Sequence, residues 1–74
     1  MNRYNGKWIY IDYLCPSKSG KTKIYQVMSK QGEHLGDIKW MARWRKYAFY
    51  PEPVTAYEED CLRDIIEFLE EIKK

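Results

Sequence analysis

Residues 55–72 read TAYEEDCLRDIIEFLEEI, and this stretch decides the fold because its pattern is that of an amphipathic helix. Leu and Ile recur at positions 62, 65, 66, 69 and 72, which is the spacing of one helix face. Thr55 and Glu58 have the spacing of a capping box, in which each side chain bonds the other's backbone amide. Lys73 and Lys74 follow at the end where the helix dipole favours cations. We therefore predict a helix over about residues 56–72, with Cys61 and Phe68 on the margin of its apolar stripe.

The first fifty residues have the composition of β-strands. Segments rich in β-branched and aromatic residues alternate with turns that contain Gly or Pro. They predict antiparallel strands at about residues 7–15, 22–29, 34–40 and 44–50. The predicted fold class is α+β: a single domain over residues 1–74, in which a four-stranded meander is packed by the C-terminal helix.

Alternation within the strands predicts which side chains face the helix. In the second strand, Tyr25 and Val27 face one way, and Ile24, Gln26 and Met28 the other. In the third strand, Gly36 indicates a bulge that brings Leu35 and Ile38 to one face. In the fourth strand, Arg45 shares a face with Tyr47 and Phe49, and we expect it to pair with Asp64 if that face packs on the helix.

Size and composition exclude several classes of protein. A chain of 74 residues with 45% hydrophobic and 32% charged residues is one small globular domain. It has no apolar run of membrane-spanning length and no secretory signal after Met1, so we expect a cytoplasmic protein and no membrane partner. Cys15 and Cys61 should stay reduced there, and with a single His they do not complete a zinc site.

No catalytic constellation stands out, so we expect a protein that is not an enzyme and needs no cofactor or metal. The run Ser19-Gly20-Lys21-Thr22 lacks the first glycine and the following helix of a phosphate-binding loop. His34 and Asp37 are three positions apart, which in a regular strand places them on opposite faces. Glu67, Glu70 and Glu71 fit the solvated face of the helix.

Charge divides the chain into two halves. Residues 1–50 hold ten Lys/Arg and three Asp/Glu, whereas residues 51–74 hold three and eight. Within the basic half, residues 39–46 interleave cations with two indoles, a combination that binds phosphates and stacks on unpaired bases. The alternative is that both indoles pack in the core or cover the sheet. The candidate contacts are Lys39, Trp40, Arg43, Trp44, Arg45 and Lys46.

Three segments carry a resemblance to known proteins. They are Leu35-Gly36-Asp37-Ile38-Lys39-Trp40, then residues 44–51 (WRKYAFYP), then residues 61–69 (CLRDIIEFL). The chain resembles a group of small uncharacterised proteins of bacteria, phages and other mobile elements, with the patterns L-G-x-I-x-W, W-R-x-Y-x-F-x-P and C-L-x-D-I-x-x-F. The resemblance covers about residues 22–70. It implies a shared fold and no activity.

These observations together favour a non-enzymatic binding module whose working surface is the exposed sheet face and the hairpin between the third and fourth strands. Nucleic acid is one expected partner, because the segment is basic and aromatic. The alternative is a protein-interaction module, such as a small phage or mobile-element inhibitor of a host protein. A homodimer is compatible with either function.

Overall fold

The computed structural model describes residues 4–73, and this part of the chain forms five antiparallel strands and one helix. The strands lie in the sheet in the order of the chain, each hydrogen-bonded to the next. The elements are β1 (Tyr4–Asn5), β2 (Ile9–Pro16), β3 (Lys23–Ser29), β4 (His34–Met41), β5 (Lys46–Pro51) and α1 (Glu59–Ile72). The α+β class and the C-terminal helix are confirmed. The prediction of four strands is wrong, because β1 adds a fifth strand beside β2.

The core lies between one face of the sheet and α1. Tyr25 and Val27 of β3 point into it, as their alternation predicted, whereas Ile24, Gln26 and Met28 lie on the open face. The buried side chains come from three neighbouring strands and from the helix, and the burial of so many branched and aromatic groups is what stabilises a sheet covered on one face only. They are Ile9, Ile11, Tyr25, Val27, Ile38, Ile65 and Phe68.

A bulge in β4 shapes one end of the sheet. Val27 pairs with Gly36 and the next residue, Met28, pairs with His34, so Leu35 is left without a cross-strand partner. Leu35 packs against the core together with Ile38. This confirms the prediction that a bulge at Gly36 brings both side chains to one face. A Cβ at Gly36 would lie 2.5 Å from the carbonyl oxygen of Tyr50, so glycine permits the close approach of β5.

The helix begins three residues later than the capping-box spacing predicted. Its N-cap is Glu58, whose side chain accepts the N–H of Cys61. Thr55 instead donates its hydroxyl to the carbonyl of Glu52, which closes a turn after β5. Lys73 is the C-cap, and Lys74 lies outside the described residues. The capping box was wrong because Thr55 is engaged by the preceding loop.

The apolar stripe of the helix is rotated relative to its prediction. Ile65 and Phe68 are the buried residues, whereas Leu62 and Ile66 are exposed. Phe68 was placed on the margin of the stripe, but it packs edge-on against Tyr25, with ring centroids 4.9 Å apart. The helix therefore buries a narrower stripe than the sequence pattern provides.

Asp64 attaches the N-terminal strand to the helix. It accepts the N–H of Lys7 at 3.0 Å and the hydroxyl of Tyr4 at 3.2 Å. The Tyr4 hydroxyl also donates to Glu67 at 2.7 Å. Burial, together with these two carboxylates, raises the pKa of Tyr4 above its ordinary value. The predicted pairing of Asp64 with Arg45 is wrong, since Asp64 bonds Tyr4 and Lys7, whereas Arg45 lies beside the C-terminal half of the helix.

Candidate nucleic-acid interface at one end of the sheet

The meander brings two hairpin turns to the same end of the sheet. The turn between β2 and β3 spans residues 17–22, and the turn between β4 and β5 spans residues 42–45. Because successive strands run in opposite directions, alternate turns share an end. The N–H of Lys23 donates to the hydroxyl of Tyr47 at 3.2 Å, which ties the two hairpins together.

This end of the sheet is strongly basic. No Asp or Glu occurs in residues 13–32 or 38–51. Seven exposed cations lie on the two hairpins, and we call them the basic end: Lys18, Lys21, Lys23, Lys39, Arg43, Arg45 and Lys46. The ion pairs of Lys7 and Arg63 lie away from the basic end, and the acid nearest to it is Glu70 of the helix, which lines a groove together with Arg45 and Lys46. A surface with this excess of cations attracts polyanions.

The tip of the second hairpin presents Trp44 between two arginines. The prediction that strand four starts at Trp44 is wrong, because residues 42–45 form the turn and β5 starts at Lys46. Arg45 has a left-handed backbone with φ of 55° and donates its N–H to Ala42. It does not share the strand face of Tyr47 and Phe49. Trp44 is 63% exposed and has no ring contact with another described residue, so its indole faces are open for stacking.

Trp40 lies on the helix side of the sheet, not on the open face. It pairs with Tyr47 across the strands and contacts its ring edge-on, with centroids 5.4 Å apart. Its indole is 41% exposed, so it is neither buried in the core nor free of contacts. Lys39 points to the open face, where its ammonium lies 4.6 Å from the centre of the Tyr50 ring. The six predicted contacts therefore share one end of the sheet but not one face.

A groove runs from Trp40 along the second half of the helix. Its volume is about 490 Å³, and its lining includes Arg45, Lys46, Tyr47, Ile66 and Leu69. Three cations and Glu70 supply the charges of its lining, and apolar side chains form most of its wall. No pattern in the sequence predicted the groove, because its walls come from the hairpin between β4 and β5 and from the helix, which meet only in the fold.

His34 contacts two carboxylates. Its Nε2 lies 2.9 Å from Asp37 and its Nδ1 lies 3.3 Å from Glu52. The prediction that His34 and Asp37 lie on opposite faces is wrong, because the bulge at Leu35 inserts a residue between them. Of the residues described, these three are a group whose ligand atoms come within 4.8 Å of one another. Since each nitrogen faces a different carboxylate, the imidazole joins β4 to the loop after β5.

The two thiols lie apart from each other and from the basic end. Cys15 is exposed and Cys61 is half-buried against the core. Burial raises the pKa of the Cys61 thiol, and the hydrogen bond with the Glu58 side chain adds to the shift. Cys61 is therefore held in its protonated, weakly nucleophilic form, and it contributes apolar packing.

Two further findings complete the description of the chain. Across residues 4–73, no helix has both the length and the apolar character that a membrane crossing requires. No protein-family model, no curated protein and no solved structure matches the sequence.

Proposed function

We propose that the protein is a nucleic-acid-binding module and that it binds phosphates with the basic end of its sheet. The observation that carries this proposal is the set of seven exposed cations on two adjoining hairpins, in segments (residues 13–32 and 38–51) that contain no Asp or Glu. In most small proteins surface cations alternate with acids. A cluster without acids repels itself in the free protein, and phosphates relieve that repulsion on binding.

Trp44 favours a single strand over a duplex. Its indole is exposed at the tip of a turn and is flanked by Arg43 and Arg45. Unpaired bases stack on such a ring while their phosphates meet the neighbouring guanidinium groups. The expected ligand is therefore single-stranded DNA or RNA.

Fluorescence anisotropy with labelled oligonucleotides of about 15 nucleotides tests the proposal. Single strands should bind at low ionic strength, with the logarithm of affinity falling by about 0.7 per phosphate contact for each decade of salt. Duplexes should bind more weakly. If neither single strands nor duplexes bind at about 20 mM salt, the proposal is wrong.

A matched pair of variants locates the binding surface. Arg43→Gln removes one exposed cation from the basic end, and Lys30→Gln removes one from the opposite end of the sheet. Both leave the same net charge. Arg43→Gln should weaken binding and reduce the salt slope by about 0.7, whereas Lys30→Gln should change both little. Equal losses would mean that binding follows net charge and not this surface.

The groove supports a second candidate function, which is binding to a protein such as a host factor. Trp40 and Ile66 leave apolar surface exposed beside a cavity of about 490 Å³. A protein partner captured in the presence of nuclease and high salt, and lost on Trp40→Ala, would favour this function over nucleic-acid binding. In both cases we expect action in the cytoplasm, where the exposed thiol of Cys15 stays reduced.

A further inference from the structure

The outer edge of β5 carries backbone groups without partners. The N–H of Glu52 donates to the carbonyl of Leu35, and this bond sets the phase of the ladder between β4 and β5. Hydrogen-bonded pairs alternate with non-bonded pairs in an antiparallel ladder. The even-numbered residues of β5 therefore bond β4, and the N–H and C=O groups of Tyr47 and Phe49 point outward. No described residue pairs with them.

This edge has little of the protection that isolated sheet edges usually show. Residues 47–50 read YAFY, four uncharged residues of which three are aromatic. Charged side chains, prolines or a covering segment normally prevent an edge from pairing with another strand. Here Lys46 and Pro51 lie only at the two ends of the strand. The middle of β5 is thus open to a further strand.

We propose that two copies of the chain pair through β5 and form one continuous ten-stranded sheet. With a two-fold axis through Ala48, Tyr47 of each copy lies opposite Phe49 of the other. That register uses the outward groups of both residues in four backbone hydrogen bonds. Ala48 meets its own copy in a non-bonded pair, where Cα atoms approach to about 4.5 Å and a small side chain fits.

Charge complementarity supports a second copy as the occupant. Each β5 starts at Lys46, directly after Arg43 and Arg45, and ends at Pro51, directly before Glu52. Antiparallel pairing places the cationic beginning of each strand beside Glu52 of the other copy. Lys46 comes opposite Tyr50 of the second copy, on the open face of the sheet. Opposite charges thus meet at both ends of the paired strands.

The helix supplies a matching apolar flank. Leu62 borders a shallow depression with Phe49 and Pro51, and Ile66 borders the groove beside Tyr47, so both lie on the β5 side of the helix. They remain 47% and 54% exposed in the single chain. The two-fold axis puts the helices on the same face of the joined sheet with these flanks turned toward each other. Pairing therefore covers apolar surface that the single chain leaves exposed.

Sedimentation velocity across about 10 μM to 1 mM, without nucleic acid, measures the assembly. We expect the mass to rise from 9.0 kDa to twice that value with concentration. Amide hydrogen exchange at Tyr47 and Phe49 should slow over the same range. A mass that stays at 9.0 kDa up to 1 mM, with exchange at both amides unchanged, overturns the proposal.

Charge variants at the axis test the register. Ala48→Glu and Ala48→Lys each place like charges against each other across the axis, and each should weaken assembly roughly tenfold. An equimolar mixture of the two should assemble again, since opposite charges then meet. Asn5→Glu and Asn5→Lys, on the other edge of the sheet, are the controls and should change nothing. Assembly that all four variants leave intact would show that β5 is not the interface.

Discussion

Ile65 and Ile66 are adjacent in the helix and differ only in their surroundings. Ile65 is 4% exposed in the core, whereas Ile66 is 54% exposed beside the groove. Replacing either by Ala removes the same atoms and gains the same helix propensity, up to about 0.7 kcal/mol. The difference between the two variants therefore isolates the effect of burial.

The expected losses in free energy of unfolding follow from these environments. Ile65→Ala leaves a cavity in the core and should cost about 2–4 kcal/mol after the gain in propensity. Ile66 buries about half of its side chain, so Ile66→Ala should cost about 0–1 kcal/mol. A chain of this size has about 4–11 kcal/mol in total, so the first variant loses a large share of it.

Urea denaturation followed by far-UV circular dichroism measures both variants. Tryptophan fluorescence is a poor probe, because Trp8, Trp40 and Trp44 are all exposed in the folded chain. Concentrations near 5 μM keep assembly out of the measurement. With a denaturant slope of about 1 kcal/mol/M, the midpoint should fall by about 2 M or more for Ile65→Ala and by less than about 1 M for Ile66→Ala. Equal losses would mean that the helix is rotated from its described orientation.

Two further perturbations test the sheet and its N-terminal attachment. Gly36→Ala should cost about 1–3 kcal/mol in urea denaturation, because the added Cβ meets the backbone of Tyr50 and must displace β5; a loss below 0.5 kcal/mol would contradict this. The pKa of Tyr4 is raised from 10.0, so above pH 10 the unfolded chain releases a proton that the folded chain keeps. The free energy of unfolding should therefore fall as the pH rises above 10. Between pH 9 and 11 it should fall less in Tyr4→Phe than in the unaltered chain.

The fold class could be predicted from the sequence because it depends on local patterns of apolar and polar residues. The period of Leu and Ile in the last third of the chain predicts the helix, and alternation around Tyr25 and Val27 predicts the face of β3. Gly36 likewise predicted the bulge from a single residue type. Each of these features depends on neighbours a few positions away.

The errors concern contacts between distant parts of the chain. β1 has two residues, and its attachment through Asp64 joins positions 60 residues apart in sequence. The turn at residues 42–45 contains no glycine, although Arg45 has a positive φ, so nothing in the sequence separated Trp44 from the following strand. The basic end was predicted only in part, because its other half, at residues 17–23, joins it only when the meander is built.

The two proposals have a joint consequence for long ligands. Pairing through β5 is antiparallel, so Arg45 of one copy lies about six residues along the strands from Arg45 of the other, or roughly 20 Å. An oligonucleotide of about four nucleotides is too short to span this distance, so it contacts one basic end and its affinity should not depend on assembly. A strand long enough to reach both basic ends should bind more tightly, because its second contact forms within the complex that the first contact has already made. Ala48→Glu places a carboxylate opposite Lys39 of the basic end and should weaken both lengths somewhat, but the longer strand should lose clearly more because it also loses the second contact. Equal losses for both lengths would mean that assembly does not contribute to the binding of long strands.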